Sequence, residues 1–153
     1  MATVLFKVRE MTGQDYDEVA GLWRNTEGIG LDDDTDSREG IAAYLTRNPG
    51  FSYVARAEGH IVGAVLCGHD GRRGYLNHLA VALAHRQNGI GRALVEACLA
   101  KLGYIGIQKC NIFLFSDNEP GEAFWKRIGW KERGDLKVLQ KPTRSGALGI
   151  KST

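Results

Sequence analysis

The chain has little of what would mark several large classes of protein. No apolar run approaches the ~18–20 residues that cross a bilayer, and the opening Met1 to Lys7 lacks a signal-peptide layout. Both absences predict a cytoplasmic protein with no membrane partner. Neither sign of charge is in surplus: 20 Lys and Arg stand against 18 Asp and Glu, a formal +2. That is too near balance to argue for nucleic acid as a partner. Cysteine is scarce; Cys67, Cys98 and Cys110 each sit in an apolar run, which favours buried reduced thiols over a disulfide framework. His60, His69, His78 and His85 fall in no recognised ligand spacing, so no metal is expected. The Gly-Lys-Ser/Thr string of a phosphate-binding P-loop is also missing.

What is present is ordinary globular composition, 43% hydrophobic and 25% charged over 153 residues, which predicts one domain. Its bounds are placed at residues 1–140, followed by a polar basic tail at 141–153. Val4 to Arg9 reads as a strand. Thr12 with Asp15 resembles a capping box for a helix over about Gln14 to Arg24. A polar loop carries Asp32, Asp33 and Asp34. A second helix covers about Ser37 to Thr46, capped by Asp36 or Ser37, and Asn48-Pro49-Gly50 stops it. Phe51 to Ala57 and His60 to Cys67 read as strands joined at Glu58-Gly59. Tyr75 to Val81 is a further strand, and a helix after it ends near Gly103. Gln108 to Phe115 is a strand, Pro120 opens a short helix that Gly129 closes, and Trp130 to Gln140 reads as one or two final strands. Strands interleaved with helices in this order predict an α+β fold, a mixed, curved central sheet flanked by helices.

The most informative stretch is Arg86-Gln87-Asn88-Gly89-Ile90-Gly91-Arg92, between a strand and a helix in which Leu94, Val95, Cys98 and Leu102 recur at helical spacing. The first N–H groups of a helix have no partner inside it, and the helix dipole places positive charge there. Glycine lets an anion come close to them, and Arg86 and Arg92 add charge. The pattern is a cradle for a pyrophosphate. A Rossmann fingerprint does not fit: Leu94 stands at the third-glycine position, and Ile105 to Phe115 holds no acidic residue.

Leu79-Ala80-Val81 followed by that glycine stretch resembles the acyl-CoA signature of the GNAT superfamily, the acetyl-CoA-dependent N-acetyltransferases. A second match lies downstream, where Asn118 to Trp130 resembles the family's Asn…Ala-x-Tyr-x-x-x-Gly-Phe helix, with Ala123, Gly129 and Trp130 in register. The likeness spans roughly residues 3 to 140 and is closest to small stand-alone bacterial members. It implies acetyl-CoA (coenzyme A) as co-substrate, held by Leu79, Ala80, Val81, Arg86, Gln87, Asn88, Gly89, Ile90, Gly91, Arg92, Asn118 and Trp125. The acyl carrier is then expected in an opening between the Tyr75 to Val81 strand and the next one.

Acetyl transfer to an amine needs a base for the ammonium, donors for the thioester oxygen and an exit for the thiolate. By resemblance, the oxygen is met by a backbone N–H near Val81, freed by a β-bulge. The base is open. Family members use positions matching Tyr75 or Asn77, but neither side chain is a good base near neutrality. His78 has suitable chemistry, yet strand alternation turns it to the opposite face unless a bulge intervenes. Asp70 and Glu27 remain candidates through water. At Trp125 the chain departs from the family tyrosine. An indole N–H is no practical proton donor, so the thiolate is expected to leave directly or take its proton from elsewhere. Asp32, Asp33 and Asp34 would attract a cationic acceptor, a small-molecule amine or a protein or peptide amine. A homodimer would use the last strands and tail. The rival function is a non-catalytic acyl-CoA sensor.

Overall fold

Glu58 and Gly59 both take left-handed backbone, φ +54° and +81°, the geometry of a tight hairpin turn. They join strand β2 (Tyr53–Ala57) to β3 (His60–His69). These strands belong to a five-stranded sheet in the order β1-β2-β3-β4-β5, with β1 Lys7–Glu10, β4 Gly74–Val81 and β5 Cys110–Ile112. The computed structural model describes residues 4–144. Neighbouring strands are antiparallel except β4 and β5, which are parallel. The helices are α1 Tyr16–Arg24, α2 Arg38–Arg47, α3 Ile90–Tyr104 and α4 Glu119–Arg127. The expected mixed α+β architecture is present.

Each sheet face has its own core. Leu94, Val95, Cys98 and Leu102 of α3 are buried against Val62, Val65, Cys67 and Leu76, the periodicity that marked this helix in the sequence. Val19 and Trp23 of α1 and Ile41 of α2 bury the other face with Val54, Ala64, Leu66 and Ala80. The Val, Leu and Ile side chains among these each contribute about 1.5–3 kcal/mol when fully buried. Before α1, the Thr12 N–H donates to the Asp15 carboxylate at 2.8 Å, and Arg9 grips the same carboxylate with two nitrogens. That pair anchors β1 to the start of α1.

Four expectations need correction. The glycine that closes α3 is Gly106, left-handed at φ +89°, not Gly103, which lies inside the helix. Leu102 stays buried one turn further on, and the Ile107 N–H closes onto the Leu102 carbonyl. Strand β3 runs on to His69 rather than Cys67. Strand β5 is only three residues long, because Phe113 and Leu114 leave the ladder to line a cleft. Trp130 to Gln140 forms no strand: Arg133 pairs with Asp135 and accepts the Leu136 N–H, a local turn in place of a ladder. Of the expected tail, residues 141–144 are exposed, and 145–153 lie outside the described residues.

Candidate active site

Strands β4 and β5 pair only from Gly74↔Cys110 to Leu76↔Ile112, whereas β4 continues to Val81. Beyond Leu76 the two chains part, and a cleft of about 750 Å³ fills the gap. One wall is His78, Leu79, Ala80 and Val81; the opposite one is Ile112, Phe113 and Leu114. The mouth of α3 forms one end, and Asn118, Phe124 and Trp125 of the α4 region form another side.

At that mouth Gly89 is the helix N-cap with φ +81°, and the first bond along the helix runs from the Ala93 N–H to the Gly89 carbonyl. The N–H groups of Ile90, Gly91 and Arg92 therefore have no partner inside the helix. Arg86, Gln87, Gly89, Ile90, Gly91 and Arg92 all line the cleft. Asn88 does not; its side-chain amide donates to the carbonyls of His85 and Arg86 and braces the loop. Arg86 Nε donates to the Val81 carbonyl at 3.0 Å, and Arg92 pairs with Glu96 one helical turn on. Gly91 has a second reason to be glycine. A Cβ there would stand 3.1 Å from the Phe124 ring, so the packing of α4 on α3 also needs the missing atom. His85 is half-buried in the cleft wall, and its Nδ1 has no partner.

The bulge is on β4, but not at Val81. Asn77 faces Leu66 and Ala80 faces Ala64, so His78 and Leu79 together oppose Val65. Val81 stays in register with Gly63. The extra residue is accommodated by left-handed backbone at His78, φ +54°, costly for a side-chain-bearing residue. Trp23 Nε1 donates to the His78 carbonyl at 2.8 Å, holding the group the bulge turns out of the ladder. As a result His78 joins the face that Asn77 occupies, its ring edge-on to Trp23. His78 Nε2 lies 2.9 Å from Asp36 Oδ1, with side chains only 3% and 10% exposed. Nδ1 is buried and has no partner.

A family model described as the acetyltransferase (GNAT) family matches residues 16–130, the span that holds the α3 mouth, the bulge and α4. The chain belongs to the GNAT acetyltransferase family. An acetyltransferase of Sodalis glossinidius is 27% identical over 135 residues, covering 88% of this chain and 94% of the relative. One of Yersinia pseudotuberculosis is 29% identical over 132 residues, covering 86% and 92%. Among solved structures, the PaiA N-acetyltransferase of Thermoplasma acidophilum, in complex with coenzyme A, superposes with a TM-score of 0.74 at 17% identity, covering 83% of this chain and 90% of that one. An aminoglycoside N-acetyltransferase in complex with CoA gives 0.73 at 18% identity, covering 92% and 97%. These likenesses bear out the GNAT fold read from the two motifs.

Within this GNAT fold the remaining expected residues divide. Tyr75 packs on Phe113, and Asn77 faces Leu66 of β3; neither lines the cleft. Burial raises the Tyr44 pKa, so that hydroxyl stays neutral. Asn118 caps α4, accepting the Gly121 N–H at 3.0 Å, and lines the cleft as well. Its amide presses on Gly28, where a Cβ would come within 2.7 Å, so the stretch Thr26 to Ile29 lies close over the cleft. Trp125 is buried between Phe124 and Trp130 and forms part of the wall.

Asp32, Asp33 and Asp34 are outside the cleft. Asp32 accepts the N–H groups of Asp34 and Thr35, which lower its pKa below the usual carboxylate range. Asp32 and Asp33 line a separate hollow of about 160 Å³ with Trp23 and Asp36, while Asp34 is exposed. The cap of α2 is Ser37, which accepts the Gly40 N–H; Asp36 is free to turn inward. Asp36 is the site residue that sequence reasoning missed. No local signal separates it from three neighbouring aspartates. The thiols lie elsewhere: Cys67 and Cys98 are buried, and burial pushes half-buried Cys110 up to about 12. Among the described residues no three His, Cys, Asp or Glu side chains converge as a metal site, and no helix is long and apolar enough to cross a membrane.

Proposed function

We propose that the chain transfers acetyl from acetyl-CoA to a primary amine by direct attack in a ternary complex. The observation that carries this is the parting of β4 from β5 beside the unpaired N–H groups at the α3 mouth. A pyrophosphate would sit on those N–H groups, with Arg86 beside them. The pantetheine arm would run along Leu79 and Val81 as an added strand, bringing the thioester to the bulge. Residues Ile112 to Leu114 give it an apolar wall. The relatives' CoA complexes, one with a bisubstrate analogue, CoA-S-monomethyl-acetylneamine, support the same reading.

His78 takes the proton from the attacking ammonium, because the bulge places this residue in the cleft wall and its Nδ1 has no partner within the protein. The nitrogen attacks the thioester carbon, the oxygen's charge is met by backbone at the bulge, and the C–S bond breaks. The thiolate leaves unprotonated or is protonated by water, since Trp125 offers no acidic proton. Asp32, Asp33 and Asp34, beside the second hollow, supply the negative potential that draws a cationic acceptor. The exposed Leu136, Val138 and Leu139 give a second copy of the chain an apolar strip to cover.

Calorimetry with CoA and thiol release from acetyl-CoA across an amine panel test the reading. Micromolar CoA binding with acceptor-dependent release supports it. Binding without such release favours the acyl-CoA sensor, and no binding removes both. A large gain in turnover for Trp125→Tyr would show that a phenol proton donor had been missing.

A further inference from the structure

We infer that Asp36 is a positioning residue: it fixes the tautomer of His78 and stabilises the imidazolium formed during transfer. The inference rests on His78 acting as the base. It starts from an asymmetry in the imidazole. Nε2 meets a carboxylate at 2.9 Å, while Nδ1 has no partner although it is buried. An ionised carboxylate only accepts hydrogen bonds, so the proton of neutral His78 resides on Nε2. The lone pair is then on Nδ1, in a residue of the cleft wall. A buried nitrogen without a partner is costly to keep; because Nδ1 is shielded from solvent, an acceptor's N–H reaches it only as the ring turns toward the cleft on binding.

The carboxylate is held as firmly as the ring. Asp36 Oδ2 accepts the Asp32 N–H at 2.8 Å, and the Asp36 N–H donates to the Asp32 carbonyl at 3.0 Å. The Tyr16 hydroxyl donates to the Asp36 carbonyl at 2.7 Å. Ser37 starts α2 immediately afterwards. The ring also meets Trp23 in an edge-on contact, and the Trp23 indole N–H holds the His78 carbonyl. Three segments far apart in sequence thus meet at one imidazole: α1, the loop before α2, and the β4 bulge. The other charged or titratable groups on the adjoining cavities are Tyr16, Arg24, Asp32 and Asp33 beside Asp36, and Glu27, His85, Arg86, Arg92 and Arg127 along the cleft. None of them is hydrogen-bonded to the ring.

When Nδ1 accepts a proton from the amine, the ring becomes a cation in a low-dielectric site, and the adjacent carboxylate offsets that charge. Replacing the carboxylate by an amide keeps the shape but presents an N–H donor to Nε2. The ring proton then moves to Nδ1, where it blocks the lone pair.

The test compares wild type, Asp36→Asn, His78→Ala and the double variant, by pH–rate profiles and nitrogen NMR of the imidazole. Wild type is expected to show the proton on Nε2 at neutral pH, and Asp36→Asn to show it on Nδ1. In Asp36→Asn, kcat should fall by about 10²–10⁴-fold, the span of general-base catalysis, with KM for acetyl-CoA within about 3-fold. The double variant should be no slower than His78→Ala alone. Wild-type His78 protonated on Nδ1, or an Asp36→Asn profile that overlays wild type, overturns the inference. The tautomer of wild type is read without any variant, so misfolding of Asp36→Asn does not remove the test. Failure of the underlying reading looks different: no CoA binding or no acceptor-dependent release by wild type, whatever the tautomer.

Discussion

The α3 mouth and the β4 bulge lie in one cleft yet are built in opposite ways. The mouth is made from consecutive residues, Arg86 to Arg92, and its donors are backbone groups that any helix start leaves unpaired. The bulge is made from His78, Trp23 and Asp36, separated by up to 55 residues, and its working groups are side chains held by each other. A backbone site tolerates changes of side chain and resists changes of shape. A side-chain site does the reverse.

The largest expected effect breaks the bulge. His78→Ala should lower kcat by about 10²–10⁴-fold while CoA affinity, measured by calorimetry, stays within a few-fold; equal losses in both would mean that the two regions are not separable. Next is the mouth. Gly91→Val sets a branched side chain where even a Cβ lies 3.1 Å from the Phe124 ring, and should weaken CoA binding by about 10-fold or more, roughly 1.4 kcal/mol. Arg86→Ala should be milder and salt-dependent, because an exposed charge acts through screened attraction. Binding titrations at low and high salt would compare the two.

Stability effects sharpen the same contrast outside the cleft. The Asp15 carboxyl has its pKa lowered, chiefly by the Arg9 hydrogen bond and also by the Thr12 N–H. A carboxyl whose folded pKa is depressed stabilises the fold above its unfolded pKa, near 3.9, and that contribution is lost as pH falls through the lower folded value. Asp15→Asn should therefore cost about 1–2 kcal/mol at neutral pH, with the gap from wild type closing below about pH 4 in denaturant titrations. Smallest is the glycine pair. Gly106→Ala strains a left-handed residue and should cost about 1 kcal/mol, whereas Gly103→Ala, inside α3 with open space around its Cβ, should stabilise by about 0.5–1 kcal/mol. Equal melting shifts for the two would contradict the helix end seen here.

Much of the cleft was legible in the residues. Gly89 and Gly91 between an apolar strand and a 3.6-period helix place the mouth, and Asn118 with Pro120 places the start of α4. The misreadings share a cause. Gly103 and Gly106 flank the same short turn, and only the burial of Leu102 and the bond from Ile107 choose between them. Trp130 to Gln140 carries strand-like residues such as Val138, but a strand needs a neighbour's ladder, and β5, the edge of the sheet, offers only three residues. Asp32, Asp33, Asp34 and Asp36 look alike in a string. Asp32 forms a turn, Asp33 and Asp34 are exposed, and the Asp36 side chain is nearly covered, according to which one the loop turns toward β4.

Local pattern by itself determined the helix starts, the glycine mouth and the family, because these depend on backbone groups and spacings that neighbours along the chain supply. Only the tertiary structure decided that His78 faces the α1 side, since one left-handed residue reverses the alternation of a strand, and that Asp36 meets it. No periodicity encodes a contact between a bulge and a loop 42 residues earlier; it exists because Trp23 and the sheet bring both to one buried place.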